Sequence, residues 1–152
     1  MSDEKEILNN RQAYHEFIVL DKFEAGAVLV GTEVKSIMAG RIQLKDSYVT
    51  IKEGEVWLLN AHISHYSHGN TQNHDPLRSR KLLLHRKEIE KLEKETVQKG
   101  MTLVVTRLYW KNGRIKIEIG VAKGKKLYDK RESEMRKTIE KETRQQLKEN
   151  LR

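Results

Sequence analysis

The stretch TLVVTRLYWKNGRIKIEIGV, residues 102–121, decides the fold class of this chain. Two strand-like runs meet at Asn112-Gly113, a pair that tolerates the positive φ angles of a type I′ turn, so the stretch is read as a β-hairpin. On its second strand Ile115, Ile117, Ile119 and Val121 alternate with Arg114, Lys116 and Glu118, which sends one face to a core and leaves a mostly basic face in water. Tyr109 and Trp110 are neighbours on the first strand and must face opposite ways, so only one of them enters the core. The sequence does not choose between them.

The same pattern recurs upstream. SYVTIKEGEVWLLNAHI (47–63) reads as a second hairpin about Glu53-Gly54, and HEFIVLDKFEAGAVLVGTEVKSI (15–37) offers two β-rich stretches interrupted by Gly26 and Gly31. Between the hairpins, RKLLLHRKEIEKLEKETVQKG (80–100) contains a helix of about three turns with an apolar stripe of Ile89, Leu92 and Val97, stopped by Gly100. These elements predict a mainly β protein with a few helices, built as a closed antiparallel β-barrel of about six strands of the OB type, an architecture used to bind oligonucleotides.

The 152 residues carry a net charge of +8, with a pI near 9.6. Segment 129–152 contributes eight Lys/Arg and six Asp/Glu, a balance of +2, so about +6 resides in the body. An anionic partner such as nucleic acid is the natural match for that charge. The absence of cysteine removes disulfides, zinc-thiolate sites and cysteine catalysis. MSDEKEILNN is charged where a signal peptide needs an apolar run, and AGAVLV (25–30) is too short to cross a bilayer, so a soluble cytoplasmic protein is expected.

Two organisational units follow: an OB-like body, 1–128, and a basic C-terminal tail, 129–152. Met135, Ile139, Leu147 and Leu151 fall four or eight apart, with Thr143 filling the gap, and form one thin apolar stripe in an otherwise charged segment. Isolated helices of this kind are marginal in water, so the tail is expected to be disordered alone and helical against a partner.

Neither catalysis nor metal binding finds a motif. His62, His65, His68 and His74 fall partly on a predicted strand and partly on a polar loop, with no recognised ligand spacing. GVAKGKKLYDKR (120–131) has the glycines of a phosphate loop, but one residue too close, and Lys126 stands where Ser or Thr should hold magnesium. The stretch reads better as a nucleic-acid patch. Lys123, Lys125, Lys126, Lys130 and Arg131 can neutralise phosphates, the glycines permit close approach, and Tyr128 offers a flat face for a base. The competing reading is a solvated strand end.

NRQAYHEFIV, FEAG, GTEVKSI, DSYV, HDPLRSRKLLLHRKEI and LYWKNGRIKIEIGVAKGKKLYDKR, in that order, resemble the small protein B (SmpB) family, the SsrA-binding proteins of bacterial trans-translation. The resemblance covers essentially the whole body. It implies a non-enzymatic adaptor without cofactor, binding the tRNA-like domain of transfer-messenger RNA (tmRNA). The complex would enter ribosomes stalled on non-stop mRNA, with elongation factor Tu in the delivery complex and one monomer per tmRNA. The resemblance carries tmRNA contact onto Asn10, Arg11, His15, Glu24, Leu83 and Lys116. It carries decoding-centre contact with small-subunit RNA onto Gly124, Lys125, Lys126, Tyr128, Asp129, Lys130 and Arg131. The tail would lie in the vacant mRNA channel, with Met135, Ile139, Leu147 and Leu151 as apolar anchors. Arg11 and Lys116 suit phosphates, whereas Glu24 needs a base-edge or 2′-hydroxyl donor, or else caps a helix or pairs with a lysine. The chain departs from the family pattern in two places: the tail beyond Arg131 keeps character without residue-level correspondence, and the loop 65–73 is rich in histidine and asparagine. A generic single-stranded RNA-binding OB module is the alternative reading, and a metal-dependent RNase using the histidine loop a more remote one.

Overall fold

A computed structural model describes residues 4–67 and 73–125. The elements run β1 (Lys5–Asn9), α1 (Arg11–Glu16), β2 (Phe17–Ala27), α2 (Gly31–Met38), β3 (Ile42–Gln43), β4 (Tyr48–Lys52), β5 (Glu55–Leu59), β6 (His62–Ile63), β7 (Arg80–Leu83), α3 (Arg86–Val97), β8 (Thr102–Lys111) and β9 (Arg114–Gly124). The protein is mainly β with three helices, and six of its strands form a ring. The order β8-β4-β5-β7-β2-β9 returns to β8 because β8 and β9 pair along nearly their whole length. β1 adds to the part of β8 that β4 does not use: β4 pairs at Leu103, β1 from Arg107 to Trp110.

Both hairpins form as the sequence predicts. Asn112 and Gly113 have φ of 52° and 75°, Glu53 and Gly54 of 53° and 76°, the left-handed pair that matches the twist of the flanking strands. Ile115, Ile117, Ile119 and Val121 all point into the ring, where they meet Val49, Val56, Leu58, Leu82, Leu103 and Leu108.

Three expectations are corrected. The segment Gly31–Met38 is helix α2 rather than a strand. Its fourth-residue spacing puts Glu33 and Ile37 on one buried face, and the Glu33 carboxylate accepts the Val30 N–H at the helix start, 2.9 Å. Gly26 does not interrupt its strand either: β2 runs through it, and a Cβ there would lie in van der Waals contact with Leu83 of β7, at 3.5 Å from its Cβ. Val97 is 77% exposed, because five residues beyond Leu92 is about 140° around the helix. Among the described residues the strands number nine; six of them form the ring, the number the sequence predicts, and β1, β3 and β6 lie outside it.

Between the ring and α2 lies a fully buried ion pair. Arg80 and Glu33 are both 0% exposed. Arg80 Nε donates to Glu33 Oε2 at 2.6 Å, and its terminal nitrogens donate to the carbonyls of Ala61, Asp75 and Pro76 at 2.7, 3.3 and 3.1 Å. Arg78 donates to the other carboxylate oxygen. Burial pushes the Glu33 carboxyl upward, but the bonds from Arg78, the Val30 N–H and Arg80 outweigh it and hold it below the usual glutamate range.

Because the folded-state value is lowered, the stabilisation from Glu33 is complete above the ordinary glutamate range and lost as the pH falls through the lowered value. Glu33→Gln leaves a buried guanidinium without its counter-charge and should cost about 3–5 kcal/mol. Denaturant titrations across acid pH should show both this loss at neutral pH and a flatter acid limb than the native chain.

Candidate nucleic-acid interface

Two β-bulges set which side chains reach the outer face. On β8 the register shifts between Val105 and Arg107, and on β2 between Val19 and Asp21. An extra residue reverses the in-out alternation. Before the bulges, Val104 and Val19 point outward and pack with Phe17, Ala122 and Ala13 into a small cluster beneath α1. Beyond them, Arg107, Tyr109, Lys22 and Glu24 take the outer positions, beside Lys116 and Glu118 of β9. Gly120 sits where the two regimes meet. A Cβ there would lie 2.8 Å from Thr106 Cγ2 and 3.1 Å from Val19 Cγ1, so the crossing needs glycine.

The bulge also resolves the aromatic pair. Trp110 packs against the main core, while Tyr109 lies on the outer face yet is only 3% exposed. The Arg107 guanidinium covers its ring at 4.2 Å from the centroid. Its hydroxyl donates to Glu24 Oε2, which also accepts from Lys111 Nζ at 3.2 Å. Arg107 bonds Glu118 at 2.8 Å and Glu4 at 2.7 Å, and Lys22 is 3.9 Å from Glu118. Glu24 and Glu118, directly opposite each other in the β2–β9 register, are therefore both matched by cations. The Tyr109 hydrogen bond, with help from Lys111, holds the Glu24 carboxyl below its usual range against a smaller opposing effect of burial. Among Glu4, Lys22, Glu24, Arg107, Lys111, Arg114, Lys116 and Glu118, five cations face three carboxylates.

The residues singled out from the sequence fall into two groups on this side. Glu24, Leu83 and Lys116 meet on a cleft of about 590 Å³ at the rim of the ring, floored by Gly26, Leu29 and Val34 and closed by Trp110 and Arg114. Leu83 is 51% exposed, an outward position on β7 rather than a core one. Asn10, Arg11 and His15 lie at the other end, on or beside α1. Arg11 and His15 are exposed. Asn10 is structural: its side-chain Nδ2 donates to the Val105 carbonyl at 2.8 Å and its backbone N–H to Thr106 at 2.8 Å, stitching the start of α1 to the β8 bulge. Gly124 pairs with Phe17, and Lys125 Nζ donates to the Tyr14 carbonyl at 2.7 Å, so this end of β9 is tied to α1. The two groups are separated by the run of β2 from Phe17 to Gly26, about 30 Å. Lys126, Tyr128, Asp129, Lys130, Arg131, Met135, Ile139, Leu147 and Leu151 lie outside the described residues, as does His68.

Of the other histidines, His74 is buried and spends both ring nitrogens internally, on Thr32 Oγ1 at 2.9 Å and the Ile63 carbonyl at 2.8 Å. It serves the fold. The network of Tyr109, Arg107, Lys22 and Glu118 escaped the sequence analysis, because its signal, outward polar residues on alternate positions, is broken at each bulge.

A small basic β-ring with a long outer face, charged in excess for a polyanion and studded with fixed hydrogen-bonding groups, has the surface of an RNA-binding protein. The family model for SmpB protein matches residues 7–149. The SsrA-binding protein of Acetivibrio thermocellus is 54% identical over 150 residues, 99% of this chain and 97% of its own length. That of Geobacillus kaustophilus is 55% identical over 138 residues, 91% of this chain and 89% of its own. A chain in a solved structure described as "tmRNA-SmpB: a journey to the center of the bacterial ribosome" is 42% identical, with a TM-score of 0.67 over 80% of this chain and 85% of that chain. The chain belongs to the SmpB family of SsrA-binding proteins.

Since Asn10 bonds a strand carbonyl, Asn10→Ala should lower folding stability by about 1 kcal/mol, read as a shifted denaturation midpoint. Arg11→Ala, which removes only an exposed side chain, should leave that midpoint within about 0.5 kcal/mol of the native value.

Proposed function

We propose that this protein is a non-enzymatic adaptor that binds the tRNA-like domain of tmRNA and brings it to ribosomes stalled on non-stop mRNA. The observation that carries the reading is the 54% identity to an SsrA-binding protein across 99% of the chain. The geometry supports it, because the ring offers a face about 30 Å long with basic groups at both ends. In this reading the ring is an OB-type barrel and residues 1–128 form the RNA-binding body. Arg11, His15 and Lys116 meet phosphates, Glu24 accepts from a 2′-hydroxyl or base edge, and Leu83 and the cleft beside it take an apolar contact. Asn10 acts by placing α1.

Gly124, Lys125, Lys126, Tyr128, Asp129, Lys130 and Arg131 then contact the decoding centre in place of an anticodon arm, with Tyr128 stacking on a base. The tail 129–152 enters the empty mRNA channel, where polyanionic walls favour a lysine- and arginine-rich helix anchored by Met135, Ile139, Leu147 and Leu151. One protein accompanies each tmRNA, with elongation factor Tu in the cytoplasmic delivery complex.

Truncation after Tyr128 separates capture from accommodation. Affinity for the tRNA-like domain should stay within about twofold of the full chain, since distant sites act independently. Tagging of stalled peptides should cease. The full chain should also prefer the tRNA-like domain over homopolymer RNA at matched salt; equal affinities, with a common slope of about 0.7 per neutralised phosphate, would point instead to a generic single-strand binder.

A further inference from the structure

A carboxylate on a face built for RNA needs an explanation, because it repels the phosphates that the surrounding cations attract. Glu24 could be neutralised by Lys111, which lies 3.2 Å away, or by Lys116 on the adjoining strand. Each such pairing would consume a cation that phosphate wants, and phosphate would in turn pull the lysine away. Tyr109 behaves differently. Its phenol is neutral, its ring is clamped between the Arg107 guanidinium and the strand, and Arg107 is itself fixed by Glu118 and Glu4. With Tyr109 only 3% exposed, its hydroxyl is hard for a phosphate to reach. Both bonds to Glu24 converge on Oε2. Among the described residues no donor is bonded to Oε1, and the side chain is 39% exposed.

We propose that Tyr109 is a positioning residue for RNA recognition: by holding Glu24 Oε2 it presents Oε1 as a fixed acceptor for a hydroxyl or amine donor of the RNA. The inference rests on the reading of Glu24 as an RNA contact. It gives that contact a mechanism, since a carboxylate held by a neutral donor rejects RNA that brings a phosphate to the position and accepts RNA that brings a hydrogen-bond donor. The groups around Glu24 are Tyr109, Lys111 and Arg107 on β8, Arg114, Lys116 and Glu118 on β9, Lys22 on its own strand, and His85 and Glu88 across the cleft. Of these, Tyr109 is the neutral group bonded to it.

The test uses the full chain, a transcript of the tRNA-like domain of tmRNA and poly(U) as the non-specific probe. Tyr109→Phe keeps the ring under Arg107 and deletes the hydroxyl. Binding of the transcript should weaken by about fivefold, the scale of one hydrogen bond, while poly(U) binding holds and folding stability falls by no more than the loss of that one bond. Glu24→Ala should weaken it at least as much, and the double variant should match Glu24→Ala, because tyrosine acts through the carboxylate. A carbon-detected NMR titration should show the Glu24 carboxyl titrating at higher pH in Tyr109→Phe than in the native chain. Should Tyr109→Phe bind normally while Glu24→Ala is weakened, the positioning role is wrong and the Glu24 contact stands. Additive losses would equally overturn it, by showing that the tyrosine acts on its own. Normal binding by Glu24→Ala would remove the contact itself, and the inference with it.

Discussion

The buried Glu33–Arg80 pair is the constraint on which the ring depends. β7 is the strand that joins β5 to β2, and it is only four residues long. It pairs with β5 at three positions and with β2 at two, Gly26 and Ala27. Such a short strand has little backbone pairing to hold it. Arg80 at its first position supplies the missing hold: the guanidinium reaches α2 through Glu33 and the loop carbonyls of Ala61, Asp75 and Pro76. A guanidinium suits this place because its planar fork can serve a carboxylate and several carbonyls together, here through four of its five N–H groups. The same anchor fixes Leu83 over Gly26, so one wall of the rim cleft is positioned by an ion pair three residues away.

The second organising feature is the phase change at the bulges. β9 runs through without one, its isoleucines inward for its whole length, and serves as the straight edge against which its two neighbours shift. On one side of the shift the outer positions are apolar and α1 covers them; on the other they carry Lys22, Glu24, Arg107, Lys116 and Glu118, with Tyr109 lying under the Arg107 guanidinium. A single sheet thus carries a helix-binding end and a polar end without any change of strand. Gly120 marks the boundary because three side chains converge on it.

What the sequence made legible divides along physical lines. Local turn chemistry and alternation were readable wherever one strand faced core and water regularly, so both hairpins and the inward face of β9 were plain. α2 was not, because Val34 and Ile37 read equally as strand residues, and the reason for a helix, the carboxylate of Glu33 serving its N-terminus and a distant arginine, is a tertiary contact. Trp110 and Tyr109 could be assigned to opposite faces but not to particular ones, since the bulge that fixes the phase is invisible in composition. The family resemblance named Glu24, Leu83 and Lys116, which prove to share one cleft. It also named Asn10, whose amide the fold employs for itself.

That last case bears on how an RNA-binding face is built. A polar residue near RNA can act by touching it or by fixing what does, and the two are told apart by where its bonds already go. Asn10 has its side-chain donor on a strand carbonyl, leaving Arg11 and His15 to project from the helix it starts. Tyr109, nearly buried, gives its hydroxyl to Glu24, which remains open to solvent. In both places a covered donor within the protein defines the geometry of an exposed group beside it. The cations of the face attract any phosphate chain at long range, but flexible lysines distinguish little among them. In the proposed reading, discrimination comes from groups whose direction is fixed before RNA arrives, and on this face those are the ones bonded from beneath.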